Sequence, residues 1–165
     1  MMARGTGLLA TVLAGGIFGF FYAWICSTMW GLDAADPRIA IPAMQAMNAS
    51  VRNVAFAPIF FGTPVVALLA AGLCWLAGAR PAALLFGAAG VIYLGGCLAL
   101  TASVNVVMNN ELAAVAVPEG LDKAKAVWQA YSPRWQMFNM IRTGVAGGVL
   151  VLCVLGFARV SAVKS

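Results

Sequence analysis

Near the C-terminal end of the chain, Trp135, Asn139, Arg142 and Ala146 stand at offsets 0, 4, 7 and 11. At about 100° per residue these positions share one narrow helical face. Two further groups have the same character. Asn105 and Asn109 are four apart, and Gln45, Asn48 and Arg52 fall at i, i+3 and i+7. A guanidinium beside amides can hold a developing negative oxygen electrostatically. The amides can also hydrogen-bond a carbonyl or hydroxyl, and Trp128, Tyr131 and Trp135 can stack on a flat ring. Metal chemistry is not signalled. The chain has no histidine, and its four cysteines, Cys26, Cys74, Cys97 and Cys153, are far apart in sequence with no C-x-x-C.

The elements that must position these groups are apolar. Of 165 residues, 63% are hydrophobic and 9% charged, against about 25% charged in a typical soluble domain. Residues 5–32, 53–79, 81–110 and 143–158 carry no Asp, Glu, Lys or Arg. A membrane span needs roughly 20 apolar residues, about 30 Å. Three runs exceed that, and the fourth covers only about 24 Å at ~1.5 Å per residue. Arg142 therefore falls at the hydrocarbon boundary or a little inside it. The expected fold class is all-α: an integral membrane four-helix bundle, one domain over residues 1–165, with spans at about 6–29, 54–77, 81–117 and 133–158. Arg4 precedes the first run as in a secretory leader, but the run is too long for an h-region and no small-residue cleavage site follows.

Punctuation between the runs is specific. Asp36–Pro37 reads as N-cap and N1 of a short amphipathic helix over about 37–52, suited to the interface plane or to capping the bundle. Residues 78–81 form a tight hinge, which makes the second and third spans antiparallel neighbours. Pro118 and Gly120 mark a loop, residues 121–131 are helical in pattern, and Ser132–Pro133 reads as the start of the last span. Gly15/Gly19 and Gly144/Gly148 have the spacing that lets helices approach closely, within one bundle or between two copies.

In such a bundle the end of the third span, the start of the fourth and the connection after the first lie on one side. Each brings polar residues there; the other end is dry. An unpartnered amide costs several kcal/mol in hydrocarbon, and a mid-span arginine costs about 2.5–3.5 kcal/mol on insertion scales. Such groups persist when they satisfy one another, reach water or bind something. Arg142 could also snorkel to headgroups, the asparagines could be interhelical glue, and the tryptophans could be interface aromatics. The residues alone leave these readings open beside a polar pocket.

The stretch TASVNVVMNNELAAV, then W-x-x-Y-x-x-x-W and FNMIRT, resembles the anthrone oxygenase family. GGIFGFFYAWICSTMW, AIPAMQAMN and FAPIFFG are similar to it as well, so the likeness runs from about residue 13 to 150. The resemblance implies a small four-helix membrane protein, some of whose fungal relatives oxidise anthrones to anthraquinones with molecular oxygen and no known cofactor. It sets Gln45, Asn48, Asn105, Asn109, Trp128, Tyr131, Trp135, Asn139, Arg142 and Thr143 on the family's pattern. Family members often carry histidine after the asparagine of the last span; here that residue is Met140.

On this reading Arg142, Asn139 and Asn105 are the catalytic candidates. Gln45, Asn48, Asn109, Trp128, Tyr131 and Trp135 are the substrate-binding ones, with no metal and no cofactor. Arg142 would hold an enolate oxygen, and Glu111 is the best carboxylate for a base, since histidine, the usual choice, is absent. The expected partners are the lipid bilayer and a hydrophobic aromatic small molecule, not nucleic acid. A homo-oligomer or larger membrane complex fits the glycine faces, and the expected location is multi-pass in a bacterial inner membrane. The alternative is a non-enzymatic membrane protein that binds a lipid or quinone-like ligand or serves as a subunit of an assembly.

Overall fold

The computed structural model describes residues 1–162. Four helices are long and apolar enough to cross a membrane: Met2–Ala34, Phe56–Leu76, Arg80–Ala113 and Leu121–Val160. They pack as an all-α bundle, and the chain is a multi-pass integral membrane protein. The amphipathic helix Pro37–Ser50 lies between the first and second spans. Asp36 caps it as expected, accepting from the Arg38 N–H at 2.8 Å with Pro37 at the first helical turn. The Arg38 guanidinium also bonds the same carboxylate, which holds the Asp36 carboxyl at about 2, below its ordinary value.

Span lengths differ, and this builds the site. At about 1.5 Å per residue the second span covers about 31 Å, close to the hydrocarbon thickness. The other three are longer by a dozen residues or more and overhang on one side. Where all four run together, the core is small and closed, built on Ala10, Ala14, Ala67, Ala70, Ala89 and Cys153 around Phe86 and Tyr93. Beyond Phe56 the second span is missing. There the amphipathic helix buries Ala40, Ile41 and Met44 against Met29, Met108, Leu112 and Trp128. It caps the bundle.

The hinge between the second and third spans ends the helix in a Schellman arrangement. Gly78 has φ 78°, Ala79 N–H donates to the Cys74 carbonyl at 2.9 Å, and Gly78 N–H donates to that of Trp75 at 3.1 Å. At the same end Arg80 stacks over the Trp75 ring at 3.8 Å.

Three sequence expectations need correction. The last span does not begin at Ser132–Pro133: one helix runs Leu121–Ala162 with Pro133 inside it. A proline there normally breaks or kinks a helix, but side chains on both sides of it share one anchor. Asp33 accepts from Trp128 Nε1 at 2.9 Å, Ser132 Oγ at 2.6 Å and Gln136 Nε2 at 2.8 Å. The glycine pairs are not the close-packing sites either. A Cβ on Gly19, Gly144 or Gly148 would meet nothing within 4 Å, and on Gly15 it would meet only Leu150 at 3.8 Å. The tightest approaches are elsewhere: a Cβ on Gly90 would lie 2.7 Å from Leu68, and one on Gly96 2.7 Å from Val145. Spacing marks a small residue, but helix rotation decides what it faces. Finally, the third span ends at Ala113, short of residue 117.

Candidate functional site

Irregular helix opens the site. The first span contains a π-helical turn at Trp24–Thr28, and the third contains two, Leu94–Ala99 and Thr101–Asn105. A π turn widens the helix and re-aims the residues that follow, and such turns concentrate at functional sites. Here Trp24, Thr101 and Asn105 all line one cavity of about 580 Å³. It sits beside residues 51–57, where the second span stops short.

Arg142 is the cavity's charged wall. It is 5% exposed. Nη1 donates to Thr101 Oγ1 at 2.9 Å, and Nη2 donates to Asn139 Oδ1 at 2.9 Å. Its guanidinium carbon lies 4.5 Å from the Phe21 ring centre and 5.6 Å from that of Trp135. Asn139 is fixed in turn, donating through Nδ2 to the Phe21 carbonyl at 3.1 Å. The Thr143 hydroxyl donates to the Asn139 carbonyl at 2.8 Å. Arg142 thus points inward between the first and third spans and does not snorkel. Among the described residues its charge has no carboxylate partner; the ion pair there is Arg38–Asp36.

Amides near it fare differently. Asn109 Oδ1 accepts from the Tyr131 hydroxyl at 2.8 Å and from Trp135 Nε1 at 3.0 Å. The Tyr131 hydroxyl also accepts from Asn48 Nδ2 at 3.3 Å. This chain ties the amphipathic helix to the third and fourth spans. Asn105 has no such share. It is 1% exposed, and neither its Nδ2 nor its Oδ1 has a hydrogen-bond partner; Nε of Arg142 is likewise unpaired. Three buried polar atoms are thus left without partners beside the cavity. Each such group costs about 1–3 kcal/mol relative to a satisfied one.

Of the residues singled out from sequence, Arg142, Asn105, Asn48, Asn109 and Trp135 line the cavity. Asn139 stands behind Arg142 and orients it. Tyr131 is a strut of the hydrogen-bond chain. Gln45 points elsewhere, donating to the carbonyls of Leu112 at 2.8 Å and Val115 at 3.0 Å and so closing the frayed end of the third span. Trp128 turns away to Asp33. Glu111 is exposed and does not line the cavity. Arg52 reaches across the mouth to Asn110 Oδ1 at 3.1 Å.

Sequence reasoning missed the aromatic lining: Phe20, Phe21, Trp24, Phe56, Phe60 and Phe61. Their clusters, FGFFYAW and FAPIFF, were visible as ordinary span residues, with no polar signal to set them apart. Thr101 and Asp33 were missed as well, because each is a single polar residue outside the spaced groups. Among the described residues no group of three Cys, Asp or Glu converges to hold a metal ion.

A family model described as anthrone oxygenase matches residues 52–152. The chain belongs to the anthrone oxygenase family. No curated protein and no solved structure matches it. The matched region of this anthrone oxygenase family member holds Asn105, Asn109 and the whole Trp128–Arg142 stretch. It begins after Gln45 and Asn48, so the likeness of residues 13–51 stands on the motifs alone. Met140, where the family often carries histidine, is 53% exposed on the outer surface of the fourth span. Met140 does not line the cavity.

Proposed function

We propose that this family member is a membrane oxidoreductase that oxidises a flat, aromatic, polyketide-like ketone with molecular oxygen, taken up in the cavity between Asn105 and Arg142. The observation that carries this reading is a buried guanidinium, Arg142, held only by neutral oxygens in the wall of a cavity otherwise rich in phenylalanine and tryptophan. A pocket of 300–1,000 Å³ with apolar walls and few convergent polar groups suits a ligand of this size. For an anthrone, the ring methylene loses two hydrogens and becomes a carbonyl; one atom of O₂ enters that carbonyl and the other leaves as water.

Arg142 holds the enolate oxygen, an electrostatic role exerted in a water-poor setting. Thr101 and Asn139 fix the guanidinium. Asn105 lies beside Arg142 in the same wall, and Trp24, Phe60 and Trp135 sandwich the rings. Asn48, Asn109 and Tyr131 keep the far wall rigid. The test is oxygen uptake by purified protein supplied with an anthrone. Arg142→Ala is expected to fall to the rate of empty micelles, a loss on the order of a hundredfold or more; equal rates in wild type and variant overturn the reading. A second reading, a non-catalytic binder of a lipid or quinone-like ligand, draws on the lack of a carboxylate in the cavity wall among the described residues. A stoichiometric complex with such a ligand and no uptake would favour it.

A further inference from the structure

The charge on Arg142 is the least compensated feature of the molecule. It lies within a membrane-crossing helix, almost fully buried, held by two neutral oxygens and facing two rings. Buried cations are stable when paired with an anion, and leaving one unpaired costs several kcal/mol. The groups that face it can be enumerated. The third span offers the Cys97 thiol, which donates to the Arg142 carbonyl at 3.7 Å, and the Tyr93 phenol, which donates to the Phe60 carbonyl at 2.9 Å. The fourth offers Tyr131, donating to Asn109. The first span lines the cavity with Phe20, Phe21 and Trp24, and the second with Phe56, Ala57, Phe60 and Phe61. The segment after the amphipathic helix adds another cation, Arg52. Every phenol here is donating its proton to a neighbour, so none is placed as an anion.

We infer that the cavity takes its ligand as an oxygen anion, an aryl oxide or enolate, and that this anion is the missing partner of Arg142. The inference rests on the reading of the cavity as a site for flat, oxygen-bearing aromatics. Ionisation is a simple acid dissociation: the O–H bond of the phenol or enol breaks, its electron pair stays on oxygen, and the proton goes to water. No side chain of the described cavity wall takes it up. The selection is made by Arg142, the charged group that reaches the cavity from within a membrane-crossing helix. The aromatic walls favour an aryl oxide over a fatty carboxylate, whose chain gains nothing from stacking.

The probe is a monohydroxyanthraquinone, whose absorbance reports its own ionisation, bound to the purified protein in zwitterionic micelles. In wild type the bound dye is expected to ionise at least one pH unit below its midpoint in empty micelles, a tenfold or greater preference for the anion. Arg142→Gln should abolish that shift. Thr101→Asp keeps the arginine but sets a carboxylate at the 2.9 Å contact. It should also return the midpoint to the micelle value, and it decides the matter if the first variant fails to fold. Arg80→Gln, at the opposite end of the bundle, should keep the full shift. An unshifted midpoint in wild type, or one equal in wild type and Thr101→Asp, overturns the inference. Displacement of the dye by palmitate binding more tightly than the dye overturns its aryl assignment. A full shift without oxygen uptake overturns the proposed reaction and leaves the anion site standing; uptake without a shift does the reverse.

Discussion

The two halves of this bundle are built from the same helices and bury their residues in opposite ways. In the half bearing the termini, four spans run side by side and alanine, glycine and cysteine let them close. Phe86 packs so tightly that a Cβ on Gly7 would lie 2.9 Å from its ring and one on Gly156 3.0 Å. In the other half one span has ended, a short amphipathic helix replaces it, and the filling is Met29, Met44, Met108, Trp128 and Trp135. Large, flexible and amphipathic side chains spanning a three-rod gap leave room for a cavity. Buried polar groups are matched in the dry half, where Tyr93 finds the Phe60 carbonyl. In the wet half most are matched as well, but both polar atoms of Asn105 and Nε of Arg142 are left over. The contrast shows that the cavity follows from a mismatch in helix length, with π turns aiming its polar groups.

That comparison can be broken most sharply by making the wet half dry. Asn105→Leu removes two unpaired amide atoms while keeping the same branching of heavy atoms. Thermal unfolding in detergent should show a stabilisation of about 1–3 kcal/mol, while anthrone-dependent oxygen uptake falls tenfold or more. A destabilised but active variant would mean that the amide is structural. Gly90→Leu tests the dry half: overpacking against Leu68 should cost about 1–3 kcal/mol, whereas Gly148→Ala, facing open space, should stay within about 0.5 kcal/mol of wild type. Asp33→Ala removes the acceptor for Trp128, Ser132 and Gln136, and a loss of about 1 kcal/mol is expected. Hydrogen exchange should then rise around Pro133 first.

The smallest effect concerns the cap of the amphipathic helix. Its carboxyl is held at about 2 by the side-chain hydrogen bond from Arg38. A carboxyl lowered on folding stabilises above its ordinary range and loses that contribution as pH falls through the lowered value. Exchange protection at Arg38 and Ile39 should therefore be flat from pH 7 to about 4 and decline only toward pH 2. In Asp36→Asn it should show no such decline.

Much of this was legible in the residues. Uncharged runs marked four spans, Asp36–Pro37 marked a cap, and the polar residues of the third and fourth helices marked one wet end. Other features were not. Nothing near Ser132–Pro133 says that an aspartate a hundred residues earlier will hold the helix through the proline. Asn105 and Asn109 look alike in sequence, yet Oδ1 of Asn109 accepts two hydrogen bonds and neither polar atom of Asn105 has one. Gly144 and Gly148 have a packing motif and face outward.

The sequence by itself determined that this chain crosses a membrane four times and carries its polar chemistry at one end, because hydropathy and helix caps are sums over neighbouring residues. Only the tertiary structure decided which amide stays unpaired, which way Arg142 points and which aromatics surround it. Those outcomes depend on the rotation of each helix about its axis, and rotation is fixed by partners distant along the chain.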